Sequence, residues 1–450
     1  MDDSVFLRDI FMIQEKILRF TIPFHMKSGY ENKSELCQVL MNSGWEQEHI
    51  IKGENDLYSY ITDLVNEDNE NDIASSWKKS KDVLTKNGFF TKVAGRDVHW
   101  EIQQVGLVIF TTGVGIFWYE IDVPEVTEIS QLTDFIYTLK ELAWGKNTNH
   151  YMAEGKRKIS LYEDILREYI RPLEIDTFFA NRRNGNKELI PDRAIAFSWA
   201  CEVTNEELSD EMDVVFHLGR SYKSSYAMSS NISEEDFYMP FDDSIWYSCL
   251  EGCSNYTYPR TEKPFYTRGY KTRLNTYFYL YILCLGQYYS LLELAHEVSV
   301  LPTDDSKYDA KDDRLEMLLD KIHVFNLKNN YSQVGHLTQH NEFYAYMQRR
   351  LGINKMQQEL EVELQVLYEM MDRKKSIRQA KFYKVFSIIG ALFVALEAYL
   401  NVADMYESAI NSQWGYFVFG AIGCVALAAL GLLIWIVGYI GDSRRGKKRR

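Results

Sequence analysis

The chain has 450 residues, a formal net charge of −14, 46% hydrophobic residues and 14% aromatic residues. This acidic balance disfavours general binding to nucleic acid or to anionic lipid, because both carry negative charge. The six cysteines form no C-x-x-C pair, which favours reduced thiols over a disulfide framework. The length allows one large domain or two ordinary domains with a substantial core.

The first 350 residues are predicted to form a body of α/β or α+β class. The segment up to about Lys86 has a helix-like pattern, and β-rich runs around Thr112 and Gly113 predict a hairpin. The elements expected after the opening segment are strands at Glu101–Thr111, Gly115–Val123, Ala194–Val203 and Asp213–Leu218, helices at Ser130–Leu142 and Leu161–Tyr169, and an acidic linker at Pro302–Arg314. The pattern predicts a mostly antiparallel sheet over residues 1–350.

A long helix is predicted after this domain. Neither glycine nor proline occurs between Gly352 and Gly390, so one helix can run from about Ile353 to about Leu400. Over residues 353–381, the stalk, apolar residues step by three and four in a narrow stripe, which favours association between helices. The alternative is that this stripe packs only on its own domain.

Two transmembrane helices are predicted at 382–402 and 414–440, joined by an outer loop at 403–413 and followed by a basic tail at 441–450. The second stretch contains no charged residue and exceeds the ~20 residues that cross a bilayer. Basic residues flank both stretches on one side, so the positive-inside rule predicts cytoplasmic termini and a multi-pass protein of the inner (plasma) membrane. Membrane lipid is therefore an expected partner.

Motifs of catalysis are scarce in this sequence. It contains no G-x-S-x-G, no H-E-x-x-H and no phosphate-binding loop, so we predict that the protein is not an enzyme. His336 and His340 have the spacing of metal ligands on a helix, but no third ligand lies nearby in the sequence. We interpret them as ordinary surface histidines.

A small-molecule site is the more promising prediction for the body. One segment interleaves tyrosines with cations, a combination that suits an aromatic base and a phosphate, while two adjacent arginines elsewhere could clamp a phosphate. The candidate ligand-binding residues are Arg182, Arg183, Asp242, Asp243, Arg260, Lys263, Arg268, Lys271 and Arg273. The alternative for each is a surface charge paired with a neighbouring charge of opposite sign.

The order of body, long helix, first span, short loop, second span and basic tail resembles the CorA family of divalent-metal channels. That family carries Gly-Met-Asn at the end of its first span, where this chain has Tyr399-Leu400-Asn401. Trp414-Gly415-Tyr416 is similar to the entry of the family's second span. The resemblance implies a pore mouth at Glu397, Tyr399, Leu400, Asn401, Asp404 and Glu407.

Within that family, the large body and altered tripeptide resemble the CorA-like effectors of type III CRISPR systems. This resemblance implies that residues 1–350 are a cytoplasmic sensor domain. It also implies a homo-oligomer, a pentamer in the family, that is gated by a nucleotide second messenger such as an adenylated S-adenosylmethionine and disturbs the membrane in antiviral defence. One alternative is a constitutive Mg²⁺ transporter, and another is a membrane-tethered scaffold without a pore. No cofactor is certain from the sequence. A nucleotide and Mg²⁺ are the candidates, and no direct nucleic-acid contact is expected.

Overall fold

The computed structural model describes residues 12–26, 33–47, 56–62, 74–79, 88–142, 150–171, 173, 175–177, 180–183, 189–191, 193–203, 211–229, 231–261, 263–300, 309–328 and 331–409. The chain divides into two compact units, residues 1–362 and residues 363–450. The first unit contains the sheet and the candidate site.

The strands of the described residues are β1 Ile13–Met26, β2 Glu46–Gln47, β3 Ala74–Lys79, β4 Phe89–Val93, β5 Arg96–Phe110, β6 Val114–Asp122, β7 His150–Met152, β8 Lys158–Ile159, β9 Ile175–Thr177, β10 Ala180–Arg183, β11 Leu189–Pro191, β12 Ile195–Glu202, β13 Phe237–Phe241, β14 Ser244–Cys249 and β15 Gly252–Thr257. Thirteen of them form one sheet, in which the main path runs β13-β14-β15-β12-β1-β6-β5-β4-β7-β8. Strand β9 pairs with β1, β3 with β5, and β2 with β3, while β10 and β11 pair only with each other. Within the described strands, every pairing is antiparallel except that of β12 with β15.

The helices of the described residues are α1 Lys33–Asn42, α2 Ser59–Thr62, α3 Ile129–Leu139, α4 Arg167–Ile170, α5 Glu211–Arg220, α6 Tyr270–Ser299, α7 Asp309–Lys328, α8 Thr338–Leu351 and α9 Ile353–Ala409. Short π-helical turns at Tyr162–Leu166 and Phe265–Gly269 lead into α4 and α6, and 3₁₀ turns lie at Glu154–Lys156 and Glu234–Asp236.

Helix α6 covers one face of the sheet through aromatic side chains. The ring of Phe278 lies 5.2 Å from Trp118 of β6 and 5.1 Å from Phe197 of β12. Tyr277 packs at 5.0 Å against Trp246 of β14. These rings are almost fully buried, so this face forms an aromatic core.

Helices α3 and α5 cover the opposite face of the sheet. Because successive strand residues point to opposite sides, neighbouring residues of one strand contact different helices. Phe216 of α5 contacts Tyr247 of β14, with ring centroids 5.4 Å apart, while Trp246 faces α6. Phe135 of α3 is fully buried in the same apolar cluster as Phe20 of β1. The sheet therefore has a core on each face.

The structure confirms several of the predicted elements. The predicted hairpin is β5 and β6, the strand Ala194–Val203 is β12, and the helix Ser130–Leu142 is α3. Two predictions are wrong. The N-terminal segment, expected to be helical, contributes the central strand β1, and Asp213–Leu218, expected to be a strand, lies within α5.

The transmembrane architecture predicted from the sequence is also wrong. Searching the helices of the described residues finds none with the length and apolarity that a bilayer crossing requires. In the predicted span 382–402, the charged residues Lys384 and Glu397 leave about 12 uncharged residues between them, fewer than the ~20 needed. This finding contradicts the two-span fold class, the CorA-like channel description with its antiviral role, and the multi-pass inner-membrane localisation. The predicted span 414–440 lies outside the described residues.

Candidate functional site

The candidate site lies where β12 and β15, the parallel pair, end at their carboxyl termini. Their register places Cys201 opposite Thr257, so the residues that follow both strands leave the same edge of the sheet. The carboxyl ends of parallel strands are a recurrent position for ligand sites. Because Ser244 of β14 also lies opposite Thr257, the turn between β13 and β14 reaches this edge too. We call Glu202, Asp243, Tyr256, Tyr258, Lys263 and Tyr266 the β12/β15 edge.

Glu202 supplies a buried carboxyl group at the β12/β15 edge. The hydroxyl of Tyr256 donates a hydrogen bond of 2.6 Å to Glu202 Oε2, and the Tyr256 ring stacks on Tyr258 at 5.4 Å. Burial raises the pKa of Glu202, and the hydrogen bond from Tyr256 opposes that rise. Burial, followed by the charges of Glu211 and Asp243, raises the pKa of Tyr258 to about 12. The Tyr258 phenol is therefore protonated near neutral pH.

Asp243 and Lys263 form an ion pair at the open side of this edge. Lys263 Nζ lies 3.0 Å from Asp243 Oδ2 and 5.5 Å from the centroid of the Tyr266 ring. The backbone N–H of Tyr258 donates to the Asp243 carbonyl at 3.0 Å, which holds the turn beside the end of β15. The hydrogen bond and charge of Asp243 raise the pKa of Lys263. The pair thus places one cation beside one carboxylate at the exposed side of this edge.

A π-helical turn places further aromatic groups beside this ion pair. In the turn Phe265–Gly269, the N–H of Gly269 donates to the Pro264 carbonyl at 2.9 Å, a wider loop than an α-helix has. Such π-bulges are frequent at functional sites. The Phe265 ring lies 5.3 Å from Phe241, and the Arg273 guanidinium carbon lies 4.8 Å from the Phe265 centroid.

The structure brings together only some of the predicted ligand-binding residues. Asp243, Lys263 and Arg273 share this region, and Asp242 is exposed in the same turn. Lys271 instead pairs with Glu15 at 3.3 Å, and Arg260 is exposed. Arg182 and Arg183 lie on β10, outside the large sheet. The side chains of Arg182, Arg183 and Arg268 lie outside the described residues.

The predicted pore-mouth residues lie on α9. Glu397, Tyr399, Leu400, Asn401, Asp404 and Glu407 all fall within Ile353–Ala409. The predicted outer loop 403–413 is therefore helical up to residue 409, which differs from the expected break between two spans. Glu397 is exposed, and the side chains of the other five lie outside the described residues.

The two predicted surface histidines have different surroundings. His336 is exposed, with its ring 4.4 Å from Tyr58, whereas His340 is buried against Tyr277 at 5.3 Å. His340 is thus buried, and the prediction of a surface residue is wrong for it. Burial lowers the pKa of its imidazole. Among the residues that the structure describes, no group of three or more His, Cys, Asp or Glu side chains is placed to hold a metal ion.

Glu202 was not among the residues predicted from the sequence. It ends the apolar run IAFSWACE, all of which is buried. A charged residue directly at the end of such a run can be recognised in the sequence as a candidate site residue, because a fully buried strand places its last residue at the edge of the core. Glu211, at the start of α5, has no comparable signal and is found only through its electrostatic effect on Tyr258.

Comparison with known proteins finds no matching family model, no similar curated protein and no similar solved structure. The resemblance to the CorA family therefore depends on the sequence residues alone.

Proposed function

We propose that the body of this protein is a sensor domain that binds a small nucleotide ligand at the β12/β15 edge. The observation that carries the proposal is the meeting of aromatic rings with charges of both signs where the parallel strands end. The ligand class is a nucleotide that bears positive as well as negative groups.

The aromatic rings at this edge suit a heterocyclic base. Tyr258 is half-buried, with its ring stacked on the fully buried Tyr256. The neighbouring rings of Phe265 and Tyr266 lie 5.0 Å apart in an edge-to-face arrangement. Aromatic faces next to protonated phenols give a planar base both stacking and hydrogen-bonding partners.

The charges at this edge favour a ligand of mixed charge. Lys263 offers its ammonium group to a phosphate, while Glu202 and Asp243 offer acceptors to an amine or to ribose hydroxyls. Since Lys263 already pairs with Asp243, a purely anionic ligand bound to Lys263 would lie close to that carboxylate and be repelled by it. A ligand that also has a cationic group would pair with Asp243 as well and so avoid this repulsion.

The turn that contains Asp243 is connected to the start of the long helix. It closes the hairpin of β13 and β14, whose other end is bound to α8: Tyr346 donates to the Asp236 carbonyl at 2.9 Å and Arg350 Nε donates to the Ser248 carbonyl at 2.8 Å. Arg350 also forms an ion pair with Asp236. Helix α8 ends at Gly352, which adopts the left-handed conformation (φ 69°) that allows α9 to begin at the next residue.

Ligand binding at the edge can therefore act on α9 through the hairpin and α8. A ligand that prefers one position of the hairpin by a few kcal/mol would shift the population of α8 positions by the same free energy. We propose that this is how binding at the β12/β15 edge produces a response.

The binding proposal is tested by calorimetric titration of the full chain with AMP, ATP and S-adenosylmethionine. We expect saturable binding of at least one of these probes, and Lys263→Met should weaken the binding of a phosphate-bearing probe about tenfold, since it removes one charge-assisted hydrogen bond. The matched control is Lys321→Met, because Lys321 has the same exposure and pairs with Glu297 at 3.1 Å on α6. Absence of binding by all three probes, or equal weakening by both variants, would contradict the proposal.

We further propose that copies of the chain associate through α9. Within the second unit, this helix exposes the large apolar side chains Phe382, Tyr383, Val385, Phe386, Ile389 and Val394. Phe382 and Phe386 lie on one side of the helix with rings 4.7 Å apart. Exposed apolar surface of this kind is typical of protein interfaces.

Sedimentation velocity of the full chain tests the association. We expect an oligomer that dissociates when Phe382 and Phe386 are both changed to Glu, because two buried charges per helix would oppose packing. The control is Val324→Glu at an exposed position of α7, which should leave the oligomer intact. A monomeric wild-type chain would exclude the association.

A further inference from the structure

A buried lysine lies where α3 meets the end of α5. Lys140 directly follows α3, is only 6% exposed, and donates a hydrogen bond from Nζ to the Ser221 carbonyl at 2.7 Å. Its ammonium nitrogen lies 5.0 Å from the centroid of the Tyr137 ring and 5.7 Å from that of Tyr222. Lys140 does not belong to the β12/β15 edge.

Two donors beside this lysine lack acceptors. The guanidinium carbon of Arg220 lies 5.4 Å from the centroid of Tyr222, so Lys140 and Arg220 are placed against the same ring. Arg220 Nε and Ser221 Oγ are both buried and have no hydrogen-bond partner among the described residues. Ser221 is fully buried and has a φ of 51°, an unusual conformation for a residue other than glycine. Unsatisfied buried donors of this kind indicate a missing acceptor.

Four ionisable groups from different parts of the chain act on Lys140. Arg193 is a second cation, Glu141 and Glu251 are acids, and the Cys249 thiol is also near. Burial, reinforced by the charge of Arg193, lowers the pKa of Lys140 to about 8, against the opposing effect of the two acids. A substantial fraction of the amine is therefore neutral and nucleophilic slightly above neutral pH.

We propose that Lys140 is a carboxylation site at which CO₂ forms a carbamate with the side-chain amine. The lone pair of Nζ attacks the carbon of CO₂, a C–N bond forms, one C–O π pair moves to oxygen, and Nζ releases a proton to water. The remaining N–H of the carbamate still donates to the Ser221 carbonyl. The two carbamate oxygens give acceptors to Arg220 Nε and Ser221 Oγ, which have none otherwise.

The choice of CO₂ follows from size and charge. Lys140 is only 6% exposed, which favours a small reactant over a large one, and CO₂ has three atoms in a line. The product is an anion, which the Arg193 cation beside Lys140 favours and the acids Glu141 and Glu251 oppose. Arg220 lies against the Tyr222 ring that Lys140 also contacts, and it supplies the second cation of this region. The reaction needs no oxidant, reductant or metal.

Lys79 provides an internal comparison within the same chain. It is 8% exposed, its Nζ donates to the Ser43 carbonyl at 2.7 Å, and it lies 5.8 Å and 5.9 Å from the rings of Trp45 and Tyr169. Burial also lowers the pKa of Lys79. Lys79 therefore shares the burial, the backbone acceptor and the aromatic contacts of Lys140, but within the described part of the chain it has no neighbouring unsatisfied donors.

The experiment incubates the full chain with ¹³C-labelled bicarbonate, traps carbamates by alkylation with a trialkyloxonium salt, and locates the labelled lysines by peptide mass spectrometry. We expect the label on Lys140 in at least tenfold excess over Lys79. At equal dissolved CO₂, labelling at about pH 6.5 should be at least tenfold lower than at about pH 8.5, because protonation removes the nucleophile. No label on Lys140, or equal labelling of Lys79, would overturn the proposal.

A variant separates stabilisation of the carbamate from simple amine reactivity. Arg220→Gln should reduce the label on Lys140 several-fold, since one donor to the carbamate is weakened. Lys140 should also be treated with an uncharged reagent that modifies amines and gives an uncharged product. The rate of that reaction should change little in this variant, because it forms no anion for Arg220 to stabilise. Carbamate labelling that is unchanged in Arg220→Gln would also overturn the assignment.

Discussion

A buried histidine shows how burial sets a protonation state and hydrogen bonds set the tautomer in this fold. The Thr91 hydroxyl accepts a hydrogen bond from Trp100 Nε1 at 2.8 Å and lies 3.0 Å from His150 Nδ1, while His150 Nε2 lies 3.1 Å from the Glu141 carbonyl. With Nε2 as donor and Nδ1 as acceptor, every group is satisfied. His150 is fully buried, and burial lowers its pKa to about 4. The histidine is therefore neutral in the fold.

This histidine predicts a loss of stability in acid. The unfolded chain binds a proton at His150 below about pH 6.5, and the folded chain only below about pH 4. The contribution is fully present above the unfolded pKa and is lost as the pH falls through the folded pKa, amounting to about 3 kcal/mol. Urea unfolding between about pH 7 and pH 4 should show this decrease, and His150→Asn should make it smaller. An identical decrease in the variant would contradict the assignment.

Individual residues of the site were only partly predictable from the sequence. The segment of interleaved tyrosines and cations contains Lys263 and Arg273, and the structure places both in the region of Asp243, which was predicted separately. The sequence could not show that Lys263 would pair with Asp243 while Lys271 would pair with the distant Glu15. Such pairings depend on which strands become neighbours.

At the scale of elements, two short apolar segments were assigned to the wrong class. Strand β1 is buried along most of its length, so its sequence lacks the polar alternation of an exposed strand. Its buried Arg19 is held by Glu120 at 2.7 Å and by Asn275 at 2.8 Å. Helix α5 buries Val215 and Phe216 against the sheet, and so short an apolar run also fits a strand.

The packing of α5 on the sheet predicts the effect of one methyl group. A Cβ added at Gly252 of β15 would lie 2.5 Å from the Gly219 carbonyl oxygen and 2.8 Å from that of Ala196. Both are backbone atoms, so α5 would have to move away. Gly252→Ala should destabilise the fold by about 2 kcal/mol or more, measured by denaturant unfolding.

A second glycine serves as the control for this substitution. Gly390 lies inside α9, and a Cβ there meets no atom within 4 Å. Gly390→Ala should leave stability unchanged or raise it by up to about 1 kcal/mol, since alanine favours helix. If Gly252→Ala behaved like Gly390→Ala, the close approach of α5 to β15 would be refuted.

At the scale of the whole chain, the long helix was the most predictable feature and the membrane assignment the least reliable. Helix α9 begins at Ile353 as predicted, because Gly352 ends α8 and no breaker follows. It extends to Ala409, about 85 Å at ~1.5 Å per residue, beyond the expected end of the first span. The order of sheet strands was not predictable, because β12 and β15 become neighbours only through a long crossover that contains α5.

The central claim is that the β12/β15 edge binds a nucleotide and that the hairpin of β13 and β14 conveys binding to α8. Hydrogen–deuterium exchange of the full chain, with and without a saturating nucleotide probe, tests both parts at once. We predict slower exchange around Asp243, in residues 256–273 and in α8. Saturation without any change in these segments, or slowing confined to other parts of the chain, would contradict the claim.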